Sequence, residues 1–117
     1  RKGLVDLYHA LDIYLMTSRE EGGPMALIES MSAGIPVVST RAGMAVDLLQ
    51  DGVNGFLTGL EDVDGLADGV RKALALGEEK RTSIAAKARA GVQACDWKVV
   101  ARRHWEEGYK PLLNESA

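Results

Sequence analysis

Apolar positions change period several times along the chain. Leu4, Val5, Leu7, Tyr8 and Leu11 recur at helical spacing, which predicts a short helix over residues 3–11. Ile13-Tyr14-Leu15-Met16 is a continuous apolar run, as expected of a strand buried on both faces. A polar, glycine-bearing loop over residues 17–23 follows. Pro24 suits the first turn of a helix, where a missing N–H costs nothing. Leu27, Ile28 and Met31 form that helix's apolar stripe; Gly34 can cap its end in the left-handed conformation, with Pro36 just beyond.

Residues 36–40 predict a second strand, with proline confined to its first position. After a turn at 41–43 and a short helix at 45–50, the dipeptides Asp51-Gly52 and Asn54-Gly55 mark turns ahead of a third strand, Phe56-Leu57-Thr58. Leu60, Val63, Leu66, Ala67, Val70, Ala73 and Leu74 predict one face of a helix with Asp62 as N-cap and Gly77 as stop. Gly65 and Gly69 weaken that helix unless they serve close packing. A more polar helix covers residues 78–94. Asp96 caps a last one, whose stripe at Trp97, Val100, Ala101, His104, Trp105, Tyr109 and Leu112 predicts packing on this domain up to about Trp105. Pro111 is expected to kink or end it. Strands alternating with helices give an α/β fold: a partial, parallel, Rossmann-like sheet of about three strands flanked by helices, with a helical C-terminal tail. In the doubly wound order 3-2-1-4-5-6, a sheet without its first three strands has the strand at 13–16 as an edge, with neither lysine nor proline to blunt pairing.

Composition narrows the function classes. The 117 residues allow one domain of ordinary size, and 46% hydrophobic content supports a packed core. A net charge of −3 and 5% aromatic residues disfavour nucleic acid as a partner. Cys95 is the single cysteine, so there is no disulfide framework, and no Cys/His cluster has metal-ligand spacing; a cytoplasmic setting is expected. No apolar run approaches the length of a transmembrane segment, and the opening Arg1-Lys2-Gly3 suggests a fragment of something longer. His9 and His104 stand far apart without identifiable partners, and His104 is expected to pack within its stripe. Asn114-Glu115-Ser116 matches a glycosylation acceptor by chance.

The chemistry lies in residues 18–38. In an open parallel sheet, ligands bind beyond the carboxyl ends of the strands, where the loop over 17–23 falls. Gly22 and Gly23 allow close backbone approach. A helix beginning at Pro24 directs free N–H groups and a positive dipole end at the same place, which suits a phosphate. Glu21 precedes this helix, and Glu29 lies five residues past Pro24, about 7.5 Å along the axis. Taken singly, Glu21 is a solvated loop charge and Glu29 an exposed helix carboxylate. Taken together, two carboxylates flanking an anion site suit hydroxyls at both ends of a diphosphate, as in a nucleotide sugar.

This segment resembles the nucleotide-binding C-terminal domain of retaining glycosyltransferases with two facing Rossmann-like domains, the B-type fold of group 1 (family 4). The resemblance is carried by Glu21, seven intervening residues, Glu29, then Met31 and Gly34-Ile35-Pro36-Val37-Val38. It extends to residues 10–18, 43–47 and 51–57 and to the Trp97-containing helix. It implies that Glu21 meets hydroxyls of the donor sugar in the catalytic centre. It implies a donor-binding set of Gly22, Gly23, Met25, Ala26 and Glu29, with backbone amides on sugar and diphosphate and Glu29 on the ribose. It implies no cofactor and no metal.

The resemblance further implies that residues 1–117 are part of the donor-binding domain, that an N-terminal acceptor domain lies outside this chain, and that the chain alone is inactive. Its partners would be a nucleotide-diphosphate sugar and a sugar, lipid-linked or small-molecule acceptor, with peripheral membrane association open. Gly23-Pro24 departs from the common pattern and removes one amide donor. Met44 and Asp47 depart in the loop after the second strand. A related nucleotide-sugar epimerase or phosphorylase, or a non-catalytic sugar-nucleotide-binding module, shares parts of the pattern.

Overall fold

The computed structural model describes residues 2–20 and 25–115. The apolar runs become three parallel strands, β1 (Tyr14–Met16), β2 (Val37–Thr40) and β3 (Phe56–Thr58), in the order β1-β2-β3. Tyr14 pairs with Val37, and Val38 with Phe56. Pro36 lies just outside β2, and its carbonyl accepts from Tyr14 N at 2.9 Å. The helices are α1 (Lys2–His9), α2 (Met25–Ser32), α3 (Ala45–Leu48), α4 (Val63–Leu74) and α5 (Glu78–Val92). A helical run over 97–115 ends the chain.

Successive residues of a strand point to opposite faces, and β2 feeds two cores. Val37 joins Met16, Leu27, Met31, Ala88 and Val92 on the side of α2 and α5. Val38 joins Phe56, Ala73 and Ile84 on the side of α4. β2 is buried throughout, as a central parallel strand should be. β1 is not: Met16 is buried but Leu15 is 46% exposed. The expectation of burial on both faces fails there because β1 is an edge, and α4 packs on β2 and β3.

Local signals hold at several ends. Gly34 has φ +77° and closes α2 with bonds from Gly34 N to Met31 O and from Ile35 N to Ser30 O, both 3.1 Å. The Asp62 carboxylate accepts from Gly65 N at 2.8 Å, and that of Asp96 from Lys98 N at 2.8 Å. The glycines of α4 serve close contact: a Cβ at Gly69 would lie 2.8 Å from Val38 Cγ1. The predicted α4 stripe is too long, however, since Leu60, Val63 and Leu74 are exposed.

The last helix corrects two expectations. It does not end at Pro111. It runs as α6 (Trp97–Arg103), a wide π-helical turn (His104–Tyr109) and α7 (Lys110–Glu115). Lys110 N bonds Trp105 O, five residues back, so the turn before Pro111 is wider than an α-turn. That width moves back the carbonyl that the proline ring would otherwise strike. Nor does the stripe pack on this domain up to Trp105. Val99 and Val100 are half-buried, but His104, Trp105, Tyr109 and Leu112 are exposed. The molecule measures 59 × 30 × 26 Å along its principal axes.

Candidate functional site

The carboxyl ends of the three strands meet in one place. Thr40, at the end of β2, donates through Oγ1 to Ser18 O at 2.6 Å and so pins the start of the loop leaving β1. Arg41 N donates to Thr58 O at 3.0 Å, tying the loop after β2 to the end of β3. Arg19 forms an ion pair with Glu61 at 2.7 Å, with both side chains largely exposed. Such a surface pair contributes little to stability. Its geometric effect is to join the β1 and β3 loops over this edge. A groove of about 780 Å³ between the end of α4 and the start of α5, lined by Phe56, Lys72 and Ile84, holds none of the predicted site residues.

Glu21, Gly22 and Gly23 lie outside the described residues, as does Pro24. The other predicted residues are on α2. Met25 opens the helix and is 53% exposed; Ala26 is half-buried behind it. The first amides of a helix have no acceptor within it, so residues 25 and 26 present N–H groups towards the loop end. No acidic residue occupies this first turn. Glu29 sits one turn further, about 6 Å along the axis. It is half-buried, not the exposed carboxylate that a helix surface would give.

α2 is held rigidly beneath these groups. Leu27 and Met31 are fully buried, and Ser30, also fully buried, donates back to Leu27 O at 2.9 Å. The α2 face opposite Glu29 is therefore locked into the core, which fixes the direction in which Glu29 leaves the backbone.

Tyr8, which the helical pattern assigns to an apolar stripe, was missed as a site residue. From the last turn of α1 its hydroxyl donates to the Glu29 carboxylate. Burial, then the bond to and charge of Glu29, then the nearby Tyr14, push the phenol up to about 12. Tyr8 therefore remains a neutral donor at any physiological pH. The available signal was the residue type itself, because a half-buried tyrosine needs a partner for its O–H.

The loop after β2 retains its turn despite Met44. Gly43 takes φ +53°, and Met44 O accepts from Asp47 N at 3.0 Å and Leu48 N at 2.9 Å to start α3. Among the described residues no group of three or more His, Cys, Asp or Glu could hold a metal ion. No described helix is long and apolar enough to cross a membrane.

Comparison with known proteins identifies the arrangement. Residues 1–91 match the model of the family Glycosyl transferases group 1. The chain is 32% identical over 113 residues to sulfoquinovosyl transferase SQD2 of Arabidopsis thaliana, covering 94% of this chain and 22% of that protein. It is 30% identical over 95 residues to the D-inositol 3-phosphate glycosyltransferase of Saccharomonospora viridis, covering 81% and 22%. The chain thus spans about a fifth of the length of these relatives. Among solved structures, Anabaena HepE in complex with UDP superposes with a TM-score of 0.80 at 31% identity, over 92% of this chain and 30% of that one. Its complex with UDP-glucose gives 0.76 at 32%, over 86% and 28%. A glycosyltransferase from Rickettsia africae shares the fold at 0.85 and 24%, over 97% and 30%. With the family pattern covering most of its length and a parallel sheet of the same fold beneath it, this chain belongs to the group 1 glycosyl transferases.

Proposed function

We propose that the chain is the donor-binding part of a retaining glycosyltransferase. The complete enzyme would move a hexose-type sugar from a nucleoside diphosphate to a sugar, lipid-linked or small-molecule acceptor. The observation that carries this reading is the half-buried Glu29 one turn beyond the open N-terminus of α2, at the carboxyl edge of a parallel sheet. A hydroxyl acceptor and an anion site within one nucleotide's length of each other would suit such a donor. The UDP and UDP-glucose held by HepE support the same ligand class.

In this reading Glu29 accepts from the ribose hydroxyls, and the amides of Gly22, Gly23, Met25 and Ala26 bind the diphosphate and sugar. Glu21 accepts from the donor sugar's hydroxyls at the reacting centre. Charge developing on the departing diphosphate is stabilised by the helix N-terminus, whose dipoles are already oriented before reaction. A second, acceptor-binding domain completes the site. The exposed Trp105, Tyr109, Leu112 and Leu113 form the surface on which the final helix would cross to it. The setting is cytoplasmic, in keeping with the single thiol.

Glu29→Ala in the complete protein tests the assignment. Loss of charge-assisted bonds worth about 1.5–3 kcal/mol should weaken nucleoside-diphosphate binding in a calorimetric titration. Glu21→Ala should reduce turnover more than affinity for the free nucleotide. Wild-type affinity in Glu29→Ala would remove the ribose assignment.

A further inference from the structure

Among the described residues, Glu61 alone outside glycine has a positive φ, at +57°. An L side chain there crowds its own backbone, and glycine is the ordinary occupant. Glu61 also reaches across the carboxyl edge of the sheet. Its Oε1 lies 2.7 Å from Nε of Arg19, in the loop leaving β1. Both side chains are largely exposed, and an exposed ion pair contributes less than a left-handed glutamate costs. Stability by itself therefore favours glycine at this position. The backbone around Glu61 is braced on both sides. Before it, Thr58 O accepts from Arg41 N at 3.0 Å; after it, the Asp62 carboxylate accepts from Gly65 N at 2.8 Å and caps α4. The loop that Glu61 grips is tied a second time one residue earlier, by the bond from Thr40 Oγ1 to Ser18 O at 2.6 Å.

We infer that Glu61 is a positioning residue for donor binding: through Arg19 it holds the loop leaving β1 at the carboxyl edge of the sheet, at a cost in stability. The inference rests on the donor-binding reading of that edge, and deepens it by naming what orders the loop. Ligands of an open parallel sheet bind beyond the carboxyl ends of its strands, so a loop placed there has to be ordered when a donor binds. Tethers at Ser18 and Arg19 remove part of that ordering cost before the donor arrives. Binding is then tighter without any contact between Glu61 and the donor.

The test uses the complete protein and two variants that lose the same carboxylate. Glu61→Gly also relieves the strained backbone, whereas Glu61→Ala keeps it. In calorimetric titrations with the tightest binder among UDP, GDP and ADP, both variants should bind about two- to fivefold more weakly, the range of an exposed ion pair. Their thermal melts should part: Glu61→Gly at or above wild type, Glu61→Ala below it. Exchanging the charges, Arg19→Glu with Glu61→Arg, should recover much of the affinity lost in Arg19→Glu alone. In a merely structural residue, affinity would fall only where stability falls. Wild-type affinity in Glu61→Gly would therefore overturn the inference, as would a loss in Arg19→Glu that the charge exchange leaves unrecovered. Melting of Glu61→Gly below Glu61→Ala would overturn the claim that the glutamate is kept at a cost. A wild-type protein that binds none of the three nucleotides would sink the donor-binding reading itself, an outcome separate from failure at Glu61 alone.

Discussion

α4 and the terminal helix carry apolar stripes of the same period, yet the body of the molecule accepts one and leaves the other bare. On α4 the residues that sink into the core are small: Gly69 and Ala73 are buried, while Leu66 and Val70 flank them half-buried. The terminal helix carries the larger side chains Trp105, Tyr109 and Leu112, and all are exposed. The difference teaches that an apolar stripe reports a face meant to be covered, and the small residues report how closely. Gly69 lets the α4 backbone approach Val38, whereas nothing lies within 4 Å of a Cβ placed at Gly108.

Four substitutions sharpen or break this contrast. Leu27→Ala, beneath the site and fully buried, should cost about 2–5 kcal/mol in denaturant unfolding, through lost transfer energy and the cavity left behind. A cost below that of an exposed residue would mean α2 is not anchored as described. Next comes the glycine pair. Gly69→Ala should destabilise by about 1–3 kcal/mol, because the new Cβ presses on Val38. Gly108→Ala should instead be neutral or stabilise by up to ~1 kcal/mol through helix propensity. Thermal melts giving the two changes the same sign would break the comparison. The smallest effect belongs to Trp105→Ala, expected within about 0.5 kcal/mol in the isolated 117-residue chain, where its side chain is half exposed. A cost of several kcal/mol would show that another surface covers the stripe.

The site divides in a similar way. Glu29, Met25 and Ala26 could be placed on one helix from spacing alone, since a helix maps residue number directly onto position along an axis. That Glu29 is half-buried and raises the pKa of Tyr8 could not be, because the two residues are distant in sequence and come near each other only in the folded chain. Tyr8 therefore looked like one more apolar position in a short helix.

What the sequence by itself determined is what depends on near neighbours: the identity of the three strands, the Gly34 cap with its positive φ, the Asp62 and Asp96 caps, and the Glu21–Val38 pattern that marks the family. Each follows from backbone sterics or from hydrogen bonds spanning a few residues. Only the tertiary structure decided that Leu15 faces outward on an edge strand, that the stripe from His104 to Leu112 is exposed, and that the helix carries through Pro111 on a π-turn. These depend on which surfaces meet. Hydrophobic attraction is non-directional, so periodicity marks a face for burial without naming the partner that will bury it.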